Sequence, residues 1–281
     1  MSEERFHGWM RPGPRPPGGI EPGEGETLDA ISGHYRLFQA AGGHRFSTDD
    51  VLVAWYGTQW APRVERAADL GSGIGSVAIV AAWRLPGARF RTIEAQETSV
   101  ALARRSVAFN GLDDRVEVVH GDLRDETILA GAGPFDLVLG SPPYRPPGTV
   151  TEARHPQARP ARIELRGSIA DYAGAAARIL APGGLFAFVF PWNDRARAVE
   201  ALRREGLALL RCRGVAFREG EEPAIGLFAA VREADVPRSF LRRMPLVEPA
   251  LVTRMADGSF SPEYGAVRMS FGFPPGHEPR E

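Results

Sequence analysis

Apolar segments of strand length alternate with segments of helical periodicity over most of the chain, starting at residue 64. This pattern predicts seven strands, over residues 64–70, 88–94, 116–120, 135–140, 185–190, 207–217 and 224–232. The helices predicted between them cover residues 76–85, 98–110, 125–129, 168–180 and 194–205. Such alternation requires right-handed crossover connections, so the sequence predicts an α/β fold whose mostly parallel sheet carries helices on both faces.

The last two predicted strands are joined by the short polar stretch 218–223. This stretch cannot hold a crossover helix, so we expect the last strand to run antiparallel to its neighbour. Before the first of the seven strands, the sequence indicates a short strand pair and a helix, with Gly42-Gly43 as the turn and an N-cap near Ser47 or Thr48.

The expected domain lies between two segments of different character. Residues 1–26 are rich in Pro and Gly, and we expect them to form a disordered arm. Residues 27–235 form the α/β domain, including its N-terminal strand pair and helix. Residues 236–281 are expected to be a C-terminal extension that ends in a disordered tail.

Composition excludes several classes of protein. With 43% apolar residues and a net charge of −1, the chain can bury a core and is not a basic nucleic-acid coat. Its apolar runs fall short of the roughly 20 residues that span a bilayer, and its start has no secretory signal, so a cytoplasmic location is expected. A single cysteine, Cys212, and six histidines without ligand spacing indicate neither a disulfide nor a metal site.

A glycine-rich turn joins the first of the seven strands to the helix that follows. Gly71, Gly73 and Gly75 stand in the sequence Asp69-Leu70-Gly71-Ser72-Gly73-Ile74-Gly75. Glycines allow a ligand to approach the backbone, and the helix N-terminus offers unpaired N–H groups to a carboxylate or phosphate. We therefore expect a nucleotide-type ligand at this turn.

Acidic residues follow three successive strands, and the carboxyl ends of such parallel strands meet in one crevice. Glu94 ends the second strand, where it can accept hydrogen bonds from both hydroxyls of a ribose. Asp122 follows the third strand and can accept from an adenine amine. Asp69 precedes the glycine turn; it disfavours a pyrophosphate but attracts the ammonium and sulfonium of S-adenosylmethionine. We therefore expect S-adenosylmethionine as the cofactor, with Asp69 either contacting it or orienting the turn.

The fourth strand runs directly into Ser141-Pro142-Pro143-Tyr144. The prolines fix the backbone and remove two donors, which leaves the carbonyls of Ser141 and Pro142 as acceptors, and the Tyr144 ring offers a face to a flat substrate. Acceptors that hold the hydrogens of a planar amine stabilise the positive charge that develops as its nitrogen attacks a methyl group. The motif predicts methyl transfer to a nucleobase amine or an amide nitrogen, with Ser141, Pro142 and Tyr144 as catalytic residues.

Together the two motifs resemble the Rossmann-like class I methyltransferases that carry an Asn/Asp/Ser-Pro-Pro-Tyr motif and methylate planar amino groups. Among these, the chain is most similar to the bacterial tRNA (valine) adenine-N6-methyltransferases, from about Tyr35 to Met269. Further matching segments are Gln39 and residues 44–52, 93–96, 103–112, 161–164, 179–185 and 258–264.

The resemblance implies a tRNA substrate methylated at adenine N6, and a turn over Phe46, Thr48 and Asp49 that closes on the methionine end of the cofactor. One position departs from that family, which usually has Asn where this chain has Ser141. Serine there is typical of cytosine-N4 methyltransferases acting on DNA. Two further alternatives are methylation of a glutamine side chain in a protein and a non-catalytic protein that binds S-adenosylmethionine. The glutamine enzymes usually have a separate helical N-terminal domain.

An arginine-rich stretch, residues 145–166, follows the tyrosine. It has five arginines against two glutamates, and its four prolines disfavour a helix, so we expect an exposed loop at the rim of the crevice. Arginine pairs with phosphate and stacks on unpaired bases, which suits a single-stranded RNA loop. The expected RNA-binding residues are Arg145, Arg154, Arg159 and Arg162. The alternative basic surface is formed by Arg238, Arg242 and Arg243.

Overall fold

The computed structural model describes residues 5–6, 9–60, 63–144, 164 and 167–274. The strands in this part of the chain are β1 (Arg5–Phe6), β2 (Trp9–Met10), β3 (Glu26–Ser32), β4 (Tyr35–Ala40), β5 (Arg66–Leu70), β6 (Arg89–Glu94), β7 (Val116–His120), β8 (Phe135–Gly140), β9 (Leu180–Pro191), β10 (Leu207–Ala216), β11 (Ile225–Arg232) and β12 (Leu246–Val252). The helices are α1 (Thr48–Trp60), α2 (Ser76–Arg84), α3 (Glu97–Phe109), α4 (Glu126–Leu129), α5 (Ile169–Ile179), α6 (Arg195–Arg204), α7 (Arg238–Leu241) and α8 (Pro262–Ser270).

The central sheet has eight strands in the order β12-β10-β11-β9-β8-β5-β6-β7. All neighbouring pairs are parallel except those that involve β11, which runs antiparallel to both β9 and β10. The α/β class, the mostly parallel sheet and the antiparallel strand after residues 218–223 are therefore confirmed. The predicted count of seven strands was one too low, because β12 adds to the edge beside β10.

The two faces of the sheet are covered by separate cores. In β9, Ala187 and Val189 face one core, whereas Phe186, Phe188 and Phe190 face the other. Alternate side chains of a strand point to opposite faces, so a strand covered on both sides is apolar throughout. This explains why the unbroken apolar run of β9 was recognisable in the sequence.

The N-terminal part differs from the prediction in two respects. The β3–β4 hairpin turns at Gly33-His34, where Gly33 has φ +49°, and Gly42-Gly43 lies instead between β4 and α1. Residues 11–25, expected within a disordered arm, contain no strand or helix but pack along the domain. Gly18 N donates to the Phe109 carbonyl at 3.1 Å, and Ile20 packs on the core. Pro and Gly oppose regular structure, but their backbone and ring surfaces still pack.

The C-terminal extension is part of the fold up to residue 274. The sequence pattern did not indicate β12 because Pro249 interrupts it; an edge strand tolerates proline, since one side of its backbone needs no partner. Ser261 caps α8 by accepting from Tyr264 N at 3.1 Å. The predicted disordered tail, residues 275–281, lies outside the described residues. Among the described helices, none is long and apolar enough to cross a bilayer.

Candidate functional site

The glycine turn lies between β5 and α2, at the C-terminal ends of the parallel strands, which we call the carboxyl edge; their N-terminal ends form the amino edge. Gly71, Gly73 and Gly75 have φ of +60°, +55° and +83°, a conformation that favours glycine. A Cβ on Gly71 would lie 1.8 Å from the Tyr172 hydroxyl, and one on Gly75 would lie 3.3 Å from Ala103 Cβ. A Cβ on Gly73 would meet nothing within 4 Å. Gly71 and Gly75 thus serve packing, whereas Gly73 faces open space.

Glu94 holds this turn from the end of β6. Its carboxylate accepts from Gly73 N at 2.9 Å and from Gln96 N at 2.7 Å, and the residue is 6% exposed. Each carboxylate oxygen has about two lone pairs, so both oxygens retain capacity for the hydroxyls of a ribose. The predicted cofactor role of Glu94 therefore fits its position, and Glu94 also orients Gly73.

Asp69 lies beneath the turn. It is 1% exposed; Oδ2 accepts from Ala78 N at 3.2 Å, and Oδ1 has no hydrogen-bond partner among the described residues. Burial and the nearby charges of Asp50 and Glu94 raise the pKa of Asp69 well above its usual value. Asp69 therefore holds the first turn of α2, and its second oxygen remains available.

Asp122 extends the acidic edge beyond β7. Its carboxylate binds Arg124 through contacts of 2.6 Å and 2.9 Å. The negative charges of Glu94, Asp69 and Asp122 all raise the pKa of Tyr172, after the larger effect of burial. The three predicted acids therefore lie near one buried tyrosine, in agreement with their strand positions. Whether Asp122 contacts an adenine stays a prediction.

The start of α1 brings two more carboxylates to this edge. Of the two predicted N-cap residues, Ser47 has this role: its hydroxyl accepts from Asp49 N at 3.2 Å, and Asp50 Oδ2 accepts from Ser47 N at 2.9 Å. Burial raises the pKa of Asp49, although the hydrogen bond from Tyr144 opposes this. Sequence reasoning missed Asp50 as a site residue, because a helix-capping acid is ordinarily exposed.

Asp50 makes the stability of the protein depend on pH. Burial raises its pKa from 3.8 to about 7. Between these values the folded state holds a proton that the unfolded chain has released, so stability falls as the pH rises from about 4 to about 7. Asp50→Asn lacks this titration and should gain stability relative to the wild type over that interval, as measured by urea unfolding. Asp113→Asn, at an exposed acid, is the control and should keep the pH trend of the wild type. A gain over the wild type in that variant equal to the gain of Asp50→Asn would contradict the assignment.

The Ser141-Pro142-Pro143-Tyr144 turn lies beside the glycine turn because β8 pairs with β5, with Gly140 opposite Leu70. The Tyr144 hydroxyl donates to Asp49 Oδ2 at 2.5 Å and accepts from the Ser141 hydroxyl. Burial, followed by the negative charge of Asp49, raises the pKa of Tyr144 well above its usual value. The structure therefore joins the Pro-Pro-Tyr motif to the segment before α1.

Phe46 and Thr48 also lie at this junction. Phe46 N donates to Gln39 Oε1 at 2.8 Å, and its partly buried ring packs against the core. Gln39 is fully buried and donates to Asp29 at 2.8 Å, so it fixes the approach to α1. Thr48 is the first residue of α1. The closure of this segment over a cofactor stays a prediction.

The predicted RNA-binding arginines, Arg145, Arg154, Arg159 and Arg162, lie outside the described residues. The alternative basic surface is placed by the sheet: Arg238, Arg242 and Arg243 are exposed and precede β12. Because β12 is parallel to β10, this surface lies at the amino edge of the parallel strands, opposite the glycine turn.

The residues of the carboxyl edge fit S-adenosylmethionine. Asp50 and Asp69 are buried, and the half-buried Asp49 lies near Asp50. The pKa of Asp69 is raised by burial and by the negative charges of Asp50 and Glu94. A ligand that carries an ammonium and a sulfonium relieves such repulsion, whereas a pyrophosphate increases it. Gly73 leaves room for a ligand, and Asp69 Oδ1 and Ser72 Oγ are buried without partners among the described residues. Within that same part of the chain, no group of three His, Cys, Asp or Glu side chains is arranged to hold a metal.

Comparison with known proteins identifies matches over the same region. The family model of the methyltransferase small domain matches residues 52–159. A tRNA1(Val) (adenine(37)-N6)-methyltransferase of Porphyromonas gingivalis is 29% identical over 243 residues, which cover 82% of this chain and 88% of that protein. A release factor glutamine methyltransferase of Caulobacter vibrioides is 36% identical, but over 48% of each chain.

Among solved structures, a protein of Agrobacterium tumefaciens named as a predicted O-methyltransferase superposes with a TM-score of 0.59. It is 22% identical, and the superposition covers 81% of this chain and 98% of that one. At this identity the likeness concerns the fold, which the two chains share over nearly the whole of the solved structure.

Proposed function

We propose that this chain, a class I methyltransferase with a methyltransferase small domain, methylates an exocyclic amine of a nucleobase. It uses S-adenosylmethionine as the methyl donor. The substrate we propose is adenine N6 in a tRNA, after the activity named for the relative that matches over 88% of its length. When bound, S-adenosylmethionine supplies an activated methyl group on its sulfonium.

The observation that carries this proposal is the hydrogen-bonded chain from Ser141 through Tyr144 to Asp49. The hydroxyl oxygen of Ser141 carries lone pairs that can accept from a substrate amine. The backbone carbonyls of Ser141 and Pro142 add two further hydrogen-bond acceptors. The turn therefore offers acceptors, and no backbone donor from its prolines, to the hydrogens of a planar amine. Serine therefore serves the acceptor role that a carboxamide oxygen would fill.

The Tyr144 ring is held in a fixed orientation by contacts on two sides. Its hydroxyl binds Asp49, and its ring packs edge-to-face on Phe190 with centroids 6.1 Å apart. A fixed ring loses little freedom when a flat base stacks on it. We infer that Tyr144 orients the base while the neighbouring acceptors bind its amine.

Glutamine methylation is the competing activity. The relative with that name matches about half of each chain, whereas the tRNA-modifying relative matches most of both. The deciding experiment incubates the protein with labelled S-adenosylmethionine and either total tRNA from cells lacking its gene or a release-factor protein. We expect N6-methyladenosine in the RNA digest. Methylglutamine with unlabelled RNA would refute the proposal, and N4-methylcytosine would refute adenine as the target.

Ser141 provides a test of the acceptor role. Ser141→Ala should lower turnover by about tenfold to a hundredfold, since a hydrogen bond to a developing charge contributes about 1.5–3 kcal/mol. Cofactor affinity, measured by calorimetry, should change little. Ser141→Asn restores an acceptor and should retain more activity than the Ala variant. Equal turnover of Ser141→Ala and the wild type would exclude the acceptor role.

Substituting arginines within residues 145–166 tests whether this stretch binds RNA. The double variant Arg154→Ala, Arg159→Ala should bind tRNA more weakly, and the slope of log affinity against log salt should flatten by up to about two units. Cofactor affinity should be unaffected. The matched control replaces Arg238 and Arg242, which precede β12 at the amino edge of the sheet. If replacing Arg238 and Arg242 flattens the salt dependence and replacing Arg154 and Arg159 does not, RNA binds the amino edge instead.

A further inference from the structure

A column of aromatic rings passes through one core and ends just beyond the last residue of β9. Phe186 and Phe188 stack with centroids 4.9 Å apart, and Phe188 stacks on Phe228 at 5.1 Å. Trp192, which follows β9, stacks on Phe228 at 6.2 Å with an angle of 30° between the rings. The column thus holds a half-buried indole in a fixed orientation at the end of β9.

The Trp192 indole packs against two glycines of the sheet. Gly214 of β10 and Gly226 of β11 are directly paired across the strands. A Cβ on Gly226 would lie 2.7 Å from Trp192 Cε3, and one on Gly214 would lie 3.4 Å from Trp192 Cε2. Glycine weakens a strand, and a paired glycine marks a close approach of another group. Here Trp192 approaches both glycines, together with Phe228 at Gly226 and Pro223 at Gly214.

Arg195 covers the indole from the first turn of α6. Its guanidinium lies 4.9 Å from the Trp192 ring centroid, and its Nη1 donates to the Trp192 carbonyl at 2.8 Å. Arg195 is exposed, and among the described residues no carboxylate pairs with it. By contrast, Arg197, two residues on, pairs with Glu164 at 2.6 Å. Arg195 therefore places a cationic planar group next to an aromatic ring.

This pair follows the strand that contacts the Tyr144 ring. Phe190 of β9 packs on Tyr144 with centroids 6.1 Å apart, and Trp192 is the first residue after β9. We propose that Trp192 and Arg195 bind the nucleotide adjacent to the methylated one, the base stacking on the indole–guanidinium pair and the cation contacting a phosphate. Unpaired RNA bases are commonly bound by aromatic rings and arginine planes. This inference rests on the proposed RNA substrate.

The test uses a synthetic anticodon stem-loop of a valine tRNA and measures its dissociation constant over a salt series, together with kcat/KM for methyl transfer. Arg195→Ala should weaken binding and reduce the salt slope by about one unit, whereas Arg195→Lys should keep the slope but bind more weakly than the wild type. Trp192→Ala should weaken binding by about 5- to 150-fold, and Trp192→Phe by less. Arg204→Ala is the matched control, since Arg204 is exposed on the same helix and pairs with Glu200.

Cofactor affinity and melting temperature should be unchanged in the Arg195 variants, which remain informative if Trp192→Ala fails to fold. If both Arg195 variants and Trp192→Phe bind and methylate the stem-loop as the wild type does, the inference is overturned while the proposed function stands. If the wild-type protein methylates glutamine and no RNA, the proposed function fails, and the inference fails with it.

Discussion

Replacing Glu94 by Ala is expected to weaken S-adenosylmethionine binding by about a hundredfold or more. We expect the carboxylate to accept from both ribose hydroxyls, and charge-assisted hydrogen bonds contribute about 1.5–3 kcal/mol each. The substitution also removes the acceptor of Gly73 N and Gln96 N, so the glycine turn loses the group that orients it. Isothermal calorimetry measures the affinity, and circular dichroism verifies that the variant is folded.

Two further variants separate the roles of Glu94. Glu94→Gln retains one carbonyl acceptor but presents an amide that cannot accept from an N–H group, so its affinity should fall between those of the wild type and Glu94→Ala. Glu97→Ala removes an exposed acid three residues on and controls for net charge. An unchanged affinity in a folded Glu94→Ala protein would remove Glu94 from the cofactor site.

Replacing Tyr144 by Ala is expected to lower kcat/KM for RNA by about 5- to 150-fold, since stacking of a base on an aromatic ring contributes about 1–3 kcal/mol. The loss arises on the acceptor side of the site, so cofactor affinity should remain close to that of the wild type. Single-turnover methylation and calorimetry on the same preparation measure the two quantities.

Tyr144→Phe distinguishes the ring from its hydroxyl. This variant keeps the stacking surface but loses the hydrogen bonds to Asp49 and from Ser141. Its kcat/KM should exceed that of Tyr144→Ala. The difference in kcat/KM between Tyr144→Phe and the wild type measures the contribution of the hydroxyl, including its hydrogen bond to Asp49. If Tyr144→Ala retains wild-type kcat/KM, the ring does not orient the base.

Much of the fold was readable in the sequence because its signals are local. The predicted bounds of β7 and β8 match the structure at both ends, and those of β5, β6 and β11 agree within two residues. Strands buried on both faces are continuous apolar runs, and turns between them need glycine, proline or polar residues. The edge strand β12 was missed because it is half exposed and contains Pro249.

The functional motifs were recognisable for the same reason. The glycine turn and the Pro-Pro-Tyr turn each perform their local task within a few consecutive residues, so residue type and spacing identified both. The convergence of Asp69, Glu94 and Asp122 also followed from strand order, since parallel strands bring their carboxyl ends to one edge.

By itself, the sequence determined the alternating architecture, the two motifs and the class of chemistry, because backbone hydrogen bonding and burial impose periods that one segment can display. Tertiary structure alone decided that Tyr144 binds Asp49, 95 positions away, and that Asp50 is buried among other carboxylates. It also decided that Gly214 and Gly226 lie under Trp192. These contacts join elements distant in the chain, and their strength depends on burial and on neighbouring charges, which no single segment specifies.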